Sequence, residues 1–461
     1  MTNGNGVGAV ADEVDVVVIG MGPGGEDVAS RLARAGLSVV AVESRLVGGE
    51  CPYFACVPTK MMVRATDALA EARRVPQLAG RADVRAEWTP VADRIRDEAT
   101  TDWDDEIAAQ RFERTGGRLV RGFGQITAPG EVTVGDQVFH ARRGIVLNPG
   151  TDPVVPPIDG LAGSPYWTNR DAVPAREAPE SLLVLGGGPV GLELAQVFAR
   201  FGTAVTVIEA QPRLLAVAEP EASELITEVL RAEGIQVRTG NGVERVKHDD
   251  QFEVQLAGGE QLTAQQLLVA TGRRTDLRAL GVGAVGLDEQ ARTIPVDERM
   301  RAAEGVWAIG DVTGRGAFTH TSMYQARIAA ADILGQDGET ADYRAMPSVV
   351  FTDPEVATVG LSEARARDAG INVRTGITRI QESTRGFIHK VDNAGIIKLV
   401  ADAERGVLVG ATVVGPYGGE IVGALAVAVH AEVPVSSLRR MIFAYPTFHR
   451  AIESALADLD V

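Results

Sequence analysis

Asp15-Val-Val-Val-Ile-Gly20-Met-Gly22-Pro-Gly-Gly25, a helical stretch through Ala29 to Gly36, and Ser38-Val-Val-Ala-Val-Glu43 form the passage on which the fold turns. The β-branched run reads as a buried strand, the glycines as a tight turn into a helix, and Glu43 as an acid at the tip of the next strand. The same design returns at Leu182-Leu-Val-Leu-Gly186-Gly-Gly188-Pro-Val-Gly191, a helix through Ala195 to Gly202, and Ala204-Val-Thr-Val-Ile-Glu209. Equal numbers of residues separate Gly20 from Glu43 and Gly186 from Glu209. A lone glycine pattern of this kind is a weak signal, often just a tight turn. Two copies, each with its acid at the matching offset, predict two βαβ dinucleotide-binding units.

The residue types have separable physical reasons. Gly20 and Gly186 permit the sharp turn, while Gly22 and Gly188 let backbone approach a pyrophosphate with no Cβ in the way. Gly25 and Gly191 allow helix and strand to pack closely, and the helix N-terminus offers N–H groups to the phosphates. Glu43 and Glu209 stand where an acid accepts hydrogen bonds from ribose hydroxyls. Further on, Trp307-Ala-Ile-Gly310-Asp311-Val312 is a strand running into Gly-Asp, followed by helix-like Thr319 to Leu334. Asp311 reads either as a helix cap or as a third dinucleotide contact. From about Tyr343 the pattern changes to alternating strands and late helices, the mark of a separate α+β domain.

Bulk properties bound the rest. The chain has 461 residues, enough for roughly three domains. A formal net charge of −17 argues against a nucleic-acid partner, because no basic surface is left to neutralise phosphates. No apolar run is long enough for a membrane span, and Met1 to Val14 lacks the basic and apolar regions of a signal peptide. That Gly/Asn/Ala-containing stretch reads as a disordered tail. A soluble cytoplasmic protein is expected.

The only two cysteines lie in Gly48-Gly49-Glu50-Cys51-Pro-Tyr-Phe-Ala-Cys56-Val-Pro58-Thr59-Lys60. Half a metal site lacks further Cys or His ligands nearby, so no metal is expected. Two merely buried cysteines leave the flanking glycines, Pro58 and Lys60 unexplained. A helical start after Cys51 brings the sulfurs within disulfide reach, and a helix N-terminus favours the thiolate. The redox reading dominates.

With these residues in place, the chain resembles the class I pyridine nucleotide–disulfide oxidoreductases, the family of dihydrolipoamide dehydrogenase, glutathione reductase and mercuric reductase. The resemblance runs over nearly the whole chain. It takes in both glycine fingerprints, Cys-x4-Cys-x-Pro-Thr-Lys, Ala270-Thr-Gly272-Arg273, Ala308-Ile-Gly310-Asp311, and Phe351-Thr-Asp-Pro-Glu-Val-Ala-Thr-Val-Gly360.

It implies an α/β fold with two Rossmann-like domains, for FAD and NAD(P), and a C-terminal α+β dimerisation domain. The expected boundaries are a tail at 1–14, FAD-binding at 15–149 and 277–344, NAD(P)-binding at 150–276, and the interface domain of a homodimer at 345–461. Gly20, Gly22, Gly25 and Glu43 would bind the ADP half of FAD, and Asp311 after Gly310 its ribityl–phosphate region. Gly186, Gly188, Gly191 and Glu209 would bind the nicotinamide dinucleotide, and Gly272, Arg273 and His320 would line the cofactor sites. Lys60, paired with Glu193, would sit by the flavin N5. Cys56 would be the charge-transfer thiolate and Cys51 the interchange thiol. Hydride would pass from the nicotinamide to flavin, then to the disulfide, then to a small-molecule acceptor. The carboxylate of Glu209 repels a 2′-phosphate, so NADH is expected over NADPH, with Arg213 the alternative phosphate partner.

The chain departs from the family near its C-terminus. Where disulfide-reducing members carry His-x-His-Pro-Thr-x-x-Glu, it reads Phe443-Ala-Tyr445-Pro446-Thr447-Phe-His449-Arg450. Tyr445 stands in place of the base and Arg450 in place of the orienting acid. A tyrosine ordinarily titrates near ~10 and makes a poor proton acceptor at neutral pH. His449, on a helix, is expected to point away from Tyr445. Glu50 replaces the family's usual Thr before the first cysteine, and the C-terminal cysteine pair of mercuric reductase is missing. The expected function is an NADH-dependent FAD oxidoreductase with a changed acceptor, a quinone or metal-type acceptor being the alternative to a disulfide. A dihydrolipoamide dehydrogenase with relaxed acid–base needs comes next, and a redox-sensing subunit last.

Overall fold

In the computed structural model, which describes residues 12–460, the chain divides into two units, each gathered from three stretches of sequence. Among the described residues, one comprises 12–58, 94–153 and 273–342; the other 59–93, 154–272 and 343–460. Residues 1–11 of the expected tail lie outside the described residues. Asp12–Val14, also expected there, instead begin a strand: they pair in parallel with Phe139–Ala141, and the Val14 side chain is buried.

The first unit is built on an eight-stranded sheet whose main path runs Arg301–Ala303, Val306–Ala308, Gln137–Leu147, Asp12–Ile19, Val39–Glu43, Arg118–Arg121. All pairings along that path are parallel except at the Arg301–Ala303 edge. The valine run of Asp12–Ile19 is hydrophobic on both faces because both are covered, as parallel sheets require. Val16 and Val18 join the core beneath the helices Pro23–Arg34 and Thr319–Ile333. Val17 and Ile19 face the other way, toward Ile126, Val132 and Phe139 of an antiparallel meander. Helix Pro23–Arg34 starts with Pro at its first position, buries Val28, Ala29 and Leu32, and is followed by Gly36 at φ +89°. Leu32 is fully buried, so truncating it to Ala would cost about 2–5 kcal/mol.

The second unit repeats the theme and adds to it. A four-stranded parallel sheet runs Gln236–Thr239, Ala204–Glu209, Ser181–Leu185, Gln266–Val269, with helix Pro189–Arg200 crossing between its central strands. A three-stranded antiparallel sheet, Val243–His248, Phe252–Leu256 and Gln261–Ala264, shares a core with it. The late sequence forms a five-stranded antiparallel sheet, ordered Pro347–Val350, Glu355–Gly360, Val407–Gly415, Ile396–Asp402, Val373–Arg379. Helices Gly418–His430 and Ala451–Asp458 cover it through Ile421, Leu425, Ile452 and Leu456. No helix among the described residues is long and apolar enough to cross a membrane.

Candidate active site

The two glycine turns are assembled alike. Gly20 sits at φ +93°, and a Cβ there would lie 2.1 Å from the Asn148 carbonyl oxygen, so only glycine is tolerated. Gly22 and Gly188 are the N-caps of their helices, and neither helix receives a side-chain cap. The first-turn N–H groups are thus left for an anionic group. A Cβ on Gly188 would meet nothing within 4 Å, which leaves room for the backbone to take a phosphate. Both turns fit a dinucleotide.

Each acid holds its own loop. Glu43 accepts the N–H groups of Met21 and Arg45, both at 2.7 Å. Glu209 accepts those of Gly187 and Gln211, also at 2.7 Å. A carboxylate has lone pairs beyond these two bonds, so a ribose contact is compatible with the loop contact. Burial pushes the Glu43 carboxyl above the usual carboxylate range, against the pull of its two backbone hydrogen bonds. Arg213 donates to the carbonyls of Ala218 and Ala216 at 2.8 and 2.7 Å.

Cys51 lies on a one-turn helix, Glu50–Tyr53, and Cys56 opens the long helix Cys56–Leu78. The helical turn therefore starts at Glu50, before Cys51 and not after it. Cys51 is half-buried, and Cys56 is exposed with its Sγ 3.5 Å from the Thr319 hydroxyl. The segment between them is clamped by a residue that sequence reasoning missed. The Trp103 indole N–H donates to the Tyr53 carbonyl at 3.2 Å, and its ring stacks on Phe54 at 6.3 Å. Trp103 gets there from a π-helical turn, Ile95–Ala99, followed by three non-glycine residues at positive φ, Thr101, Asp102 and Trp103. Both are costly backbone choices that concentrate at functional sites. Beside Cys51 a cavity of about 520 Å³ is lined by Tyr53, Ile107 and Met323 and by the charged residues Glu26, Asp104 and Arg111.

Glu50 turns toward Arg273, 3.3 Å from its guanidinium. Arg273 also donates to the Thr151 hydroxyl at 2.9 Å, and that hydroxyl donates to Asp311 at 2.9 Å. Burial raises the Asp311 carboxyl, while the Thr151 hydrogen bond and Arg273 hold it down. Gly310 donates its N–H to the fully buried Gln325 at 2.6 Å, which fixes the Gly-Asp turn. His320 is exposed on helix Thr319–Ile333, its ring stacked on Phe318 at 5.1 Å.

In the second unit Lys60 Nζ stands 2.7 Å from Glu193 Oε2 and 4.7 Å from the centre of the Phe351 ring. The Phe351 N–H donates to the other Glu193 oxygen at 2.9 Å. Tyr445 is 66% exposed, and its hydroxyl donates to that of Thr384 at 3.5 Å. The Arg450 guanidinium lies 5.3 Å from the Tyr445 ring centre and pairs with Glu453 at 2.9 Å. His449 is not helical: it lies in the turn that precedes helix Ala451–Asp458, 6.0 Å from the Phe443 ring. No metal-holding group of three or more His, Cys, Asp or Glu occurs among the described residues.

The comparisons with known proteins agree with one another. The family model described as pyridine nucleotide-disulphide oxidoreductase matches residues 14–326, and that family's dimerisation-domain model matches residues 346–456. A dihydrolipoyl dehydrogenase of Thermus scotoductus is 36% identical over 96% of this chain and 97% of its own. A mercuric reductase of Streptomyces lividans is 34% identical over 96% of this chain and 95% of its own. Among solved structures, the Cu(II) complex of the HOCl-induced flavoprotein disulfide reductase RclA from Escherichia coli has a TM-score of 0.83 at 26% identity, covering 97% of this chain and 99% of that one.

Proposed function

The chain belongs to the pyridine nucleotide-disulphide oxidoreductases, enzymes that use FAD and NAD(P)H, and we propose that it takes electrons from NADH and delivers them to an acceptor that needs no protonated leaving group, a quinone or a metal ion. When bound, the flavin supplies the two-electron relay between nicotinamide and cysteines. Gly20, Gly22, Gly25, Glu43 and Asp311 hold it, and Gly186, Gly188, Gly191 and Glu209 hold the nicotinamide dinucleotide. Gly272, Arg273 and His320 belong to the walls of these sites. Lys60, fixed by Glu193, carries the positive charge of the site. Cys56 and Cys51 are the inner and outer thiols.

One observation carries the acceptor assignment. The position that would protonate a departing thiolate is Tyr445, and the position that would orient it is Arg450, which stacks on the Tyr445 ring. Neither an imidazole to hand over a proton nor a carboxylate to orient one stands at these two positions. Relatives named for mercury reduction, and one solved as a copper complex, lend weight to a metal ion. For the nucleotide, NADH is supported by the Glu209 carboxylate and by the engagement of Arg213 with backbone carbonyls. We also read the chain as a homodimer. Its C-terminal module exposes Phe387, Tyr417, Val427 and Ile442, the last at 98%, an apolar set that a second copy would cover.

The test is a turnover comparison with NADH against lipoamide, glutathione disulfide, a quinone, and mercuric and cupric salts. Good quinone or metal turnover with poor disulfide turnover is expected. Tyr445→His combined with Arg450→Glu should raise disulfide turnover by about 10²–10⁴-fold and leave quinone turnover nearly unchanged. Lipoamide turnover in the parent at least as fast as quinone turnover would overturn the assignment in favour of a dihydrolipoamide dehydrogenase.

A further inference from the structure

Lys60 and Glu193 are not the only charges paired between their two helices. Seven residues further along each, Asp67 Oδ1 meets Arg200 Nη1 at 3.2 Å, with the charges reversed. Seven residues are two turns, about 10.5 Å, so helices Cys56–Leu78 and Pro189–Arg200 run side by side with two parallel rungs. One loop closes both rungs. Phe351 caps the first through its N–H and its ring. Asp353, two residues on, accepts from Arg200 at 2.8 Å and from Arg74 at 2.6 Å. Between the rungs Gln196 pairs with the Asp353 backbone in both directions, donating to its carbonyl and accepting its N–H, each at 2.8 Å. Arg200, with 5% of its side chain exposed, also pairs with Glu233 at 2.7 Å.

We propose that Asp67, Gln196, Arg200 and Asp353 are positioning residues that lock the axial register of the two helices and of the Phe351–Asp353 loop, and so fix where the Lys60 ammonium stands. The assignment rests on the role of Lys60 proposed above. Mere stability does not explain the second rung. Asp67 keeps 41% of its side chain exposed, and a pair with one partner so open to water adds little to stability. A half-exposed acid held opposite a buried arginine, seven residues from the first pair on both helices, sets register more than it adds stability. Removing it lets the helices slide, and displacements on the ångström scale slow chemistry much more than they weaken binding.

The experiment uses the FAD-loaded protein. Arg200 is too buried to remove safely, so the variants are Asp67→Asn and Gln196→Leu, each also combined with Lys60→Met. Stopped-flow reduction of the flavin by NADH should slow by about tenfold in each single variant with the apparent Kd for NADH unchanged. The Lys60 amine should also react severalfold faster with acetic anhydride, read by peptide mass spectrometry. In the Lys60→Met background neither substitution should slow flavin reduction further, because the residue they position is gone. Parental rates and labelling in both single variants, with Lys60→Met slow, would overturn the positioning role alone. Effects that simply multiply with Lys60→Met would do the same. A parental rate in Lys60→Met itself would instead remove the role of Lys60, and the proposal with it.

Discussion

The two glycine turns share one plan and differ in depth. Around the first, the second glycine is hemmed in: a Cβ on Gly22 would lie 3.3 Å from the Asn148 amide nitrogen, whereas one on Gly188 would meet nothing within 4 Å. The acids differ in the same sense, Glu43 buried at 8% exposure and Glu209 only half-buried. A closed cradle suits a group that enters during folding and stays. An open one suits a group that must leave on every turnover. On the assignments proposed above, equal spacing sets what each turn binds and the surrounding wall sets how long it stays.

The largest effect that would break this contrast lies at the second glycines. Gly22→Ala should yield protein largely stripped of flavin. Gly188→Ala should fold, remain yellow, and raise the KM for NADH by about tenfold, equivalent to ~1.4 kcal/mol. Absorbance of the purified variants and steady-state kinetics decide it, and flavin loss in Gly188→Ala would end the distinction between a closed and an open cradle.

The acids should diverge next. Glu43→Gln sets an amide NH2 against one of the N–H groups of Met21, which is buried, and Arg45, which is part-buried, a cost of about 1 kcal/mol that a lowered Tm would register. Glu209→Gln should barely move Tm but narrow the preference for NADH over NADPH in kcat/KM, since the charge facing a 2′-phosphate is gone. A parent that prefers NADPH would contradict the open-cradle chemistry assigned to Glu209.

The smallest effect sharpens the contrast through pH. Burial holds the Glu43 carboxyl above its ordinary range, so the folded state keeps its proton at pH values where the unfolded chain has lost it. The stability tied to that proton is present below the unfolded pKa and is lost as pH rises through the folded one. Unfolding free energies of the apoprotein should therefore shift in favour of Glu43→Gln, relative to parent, as the pH is raised from about 4 to 7. A flat difference would mean that Glu43 is no more desolvated than a surface acid.

Much of this was legible in the sequence because it is local. The valine run of Asp12–Ile19, the glycines and the proline-started helices announce themselves by composition and period, and helix Thr319–Ile333 lies within a residue of its expected span. The pairing of Lys60 with Glu193 was reachable only through the family resemblance. What escaped is long-range. Trp103 touches Tyr53 and Phe54 across a stretch of backbone whose positive φ values fall on Thr, Asp and Trp, residues that give no sign of such a turn. Asn148, Gln196 and Arg200 act by contacts far along the chain, where no spacing rule reaches. Glu50 could be noticed as an odd residue beside Cys51, but its turn toward Arg273 depends on tertiary structure.

The interleaving of the two units bears on how the chain is made. Strand Val306–Ala308 completes the first sheet by pairing with Gln137–Leu147, while the entire four-stranded sheet of the second unit is encoded between them. On the ribosome the earlier half of that first sheet emerges long before its last parallel strand, with the Ile145–Leu147 end of strand Gln137–Leu147 still uncovered. Such an edge invites wrong pairing while it waits. The stretch encoding Ser181–Leu185 through Gln266–Val269, by contrast, carries all four strands of its own sheet in one continuous run. During synthesis the later-encoded sheet has all its strands available first, and the N-terminal one has to wait for residues beyond 300 to seal it.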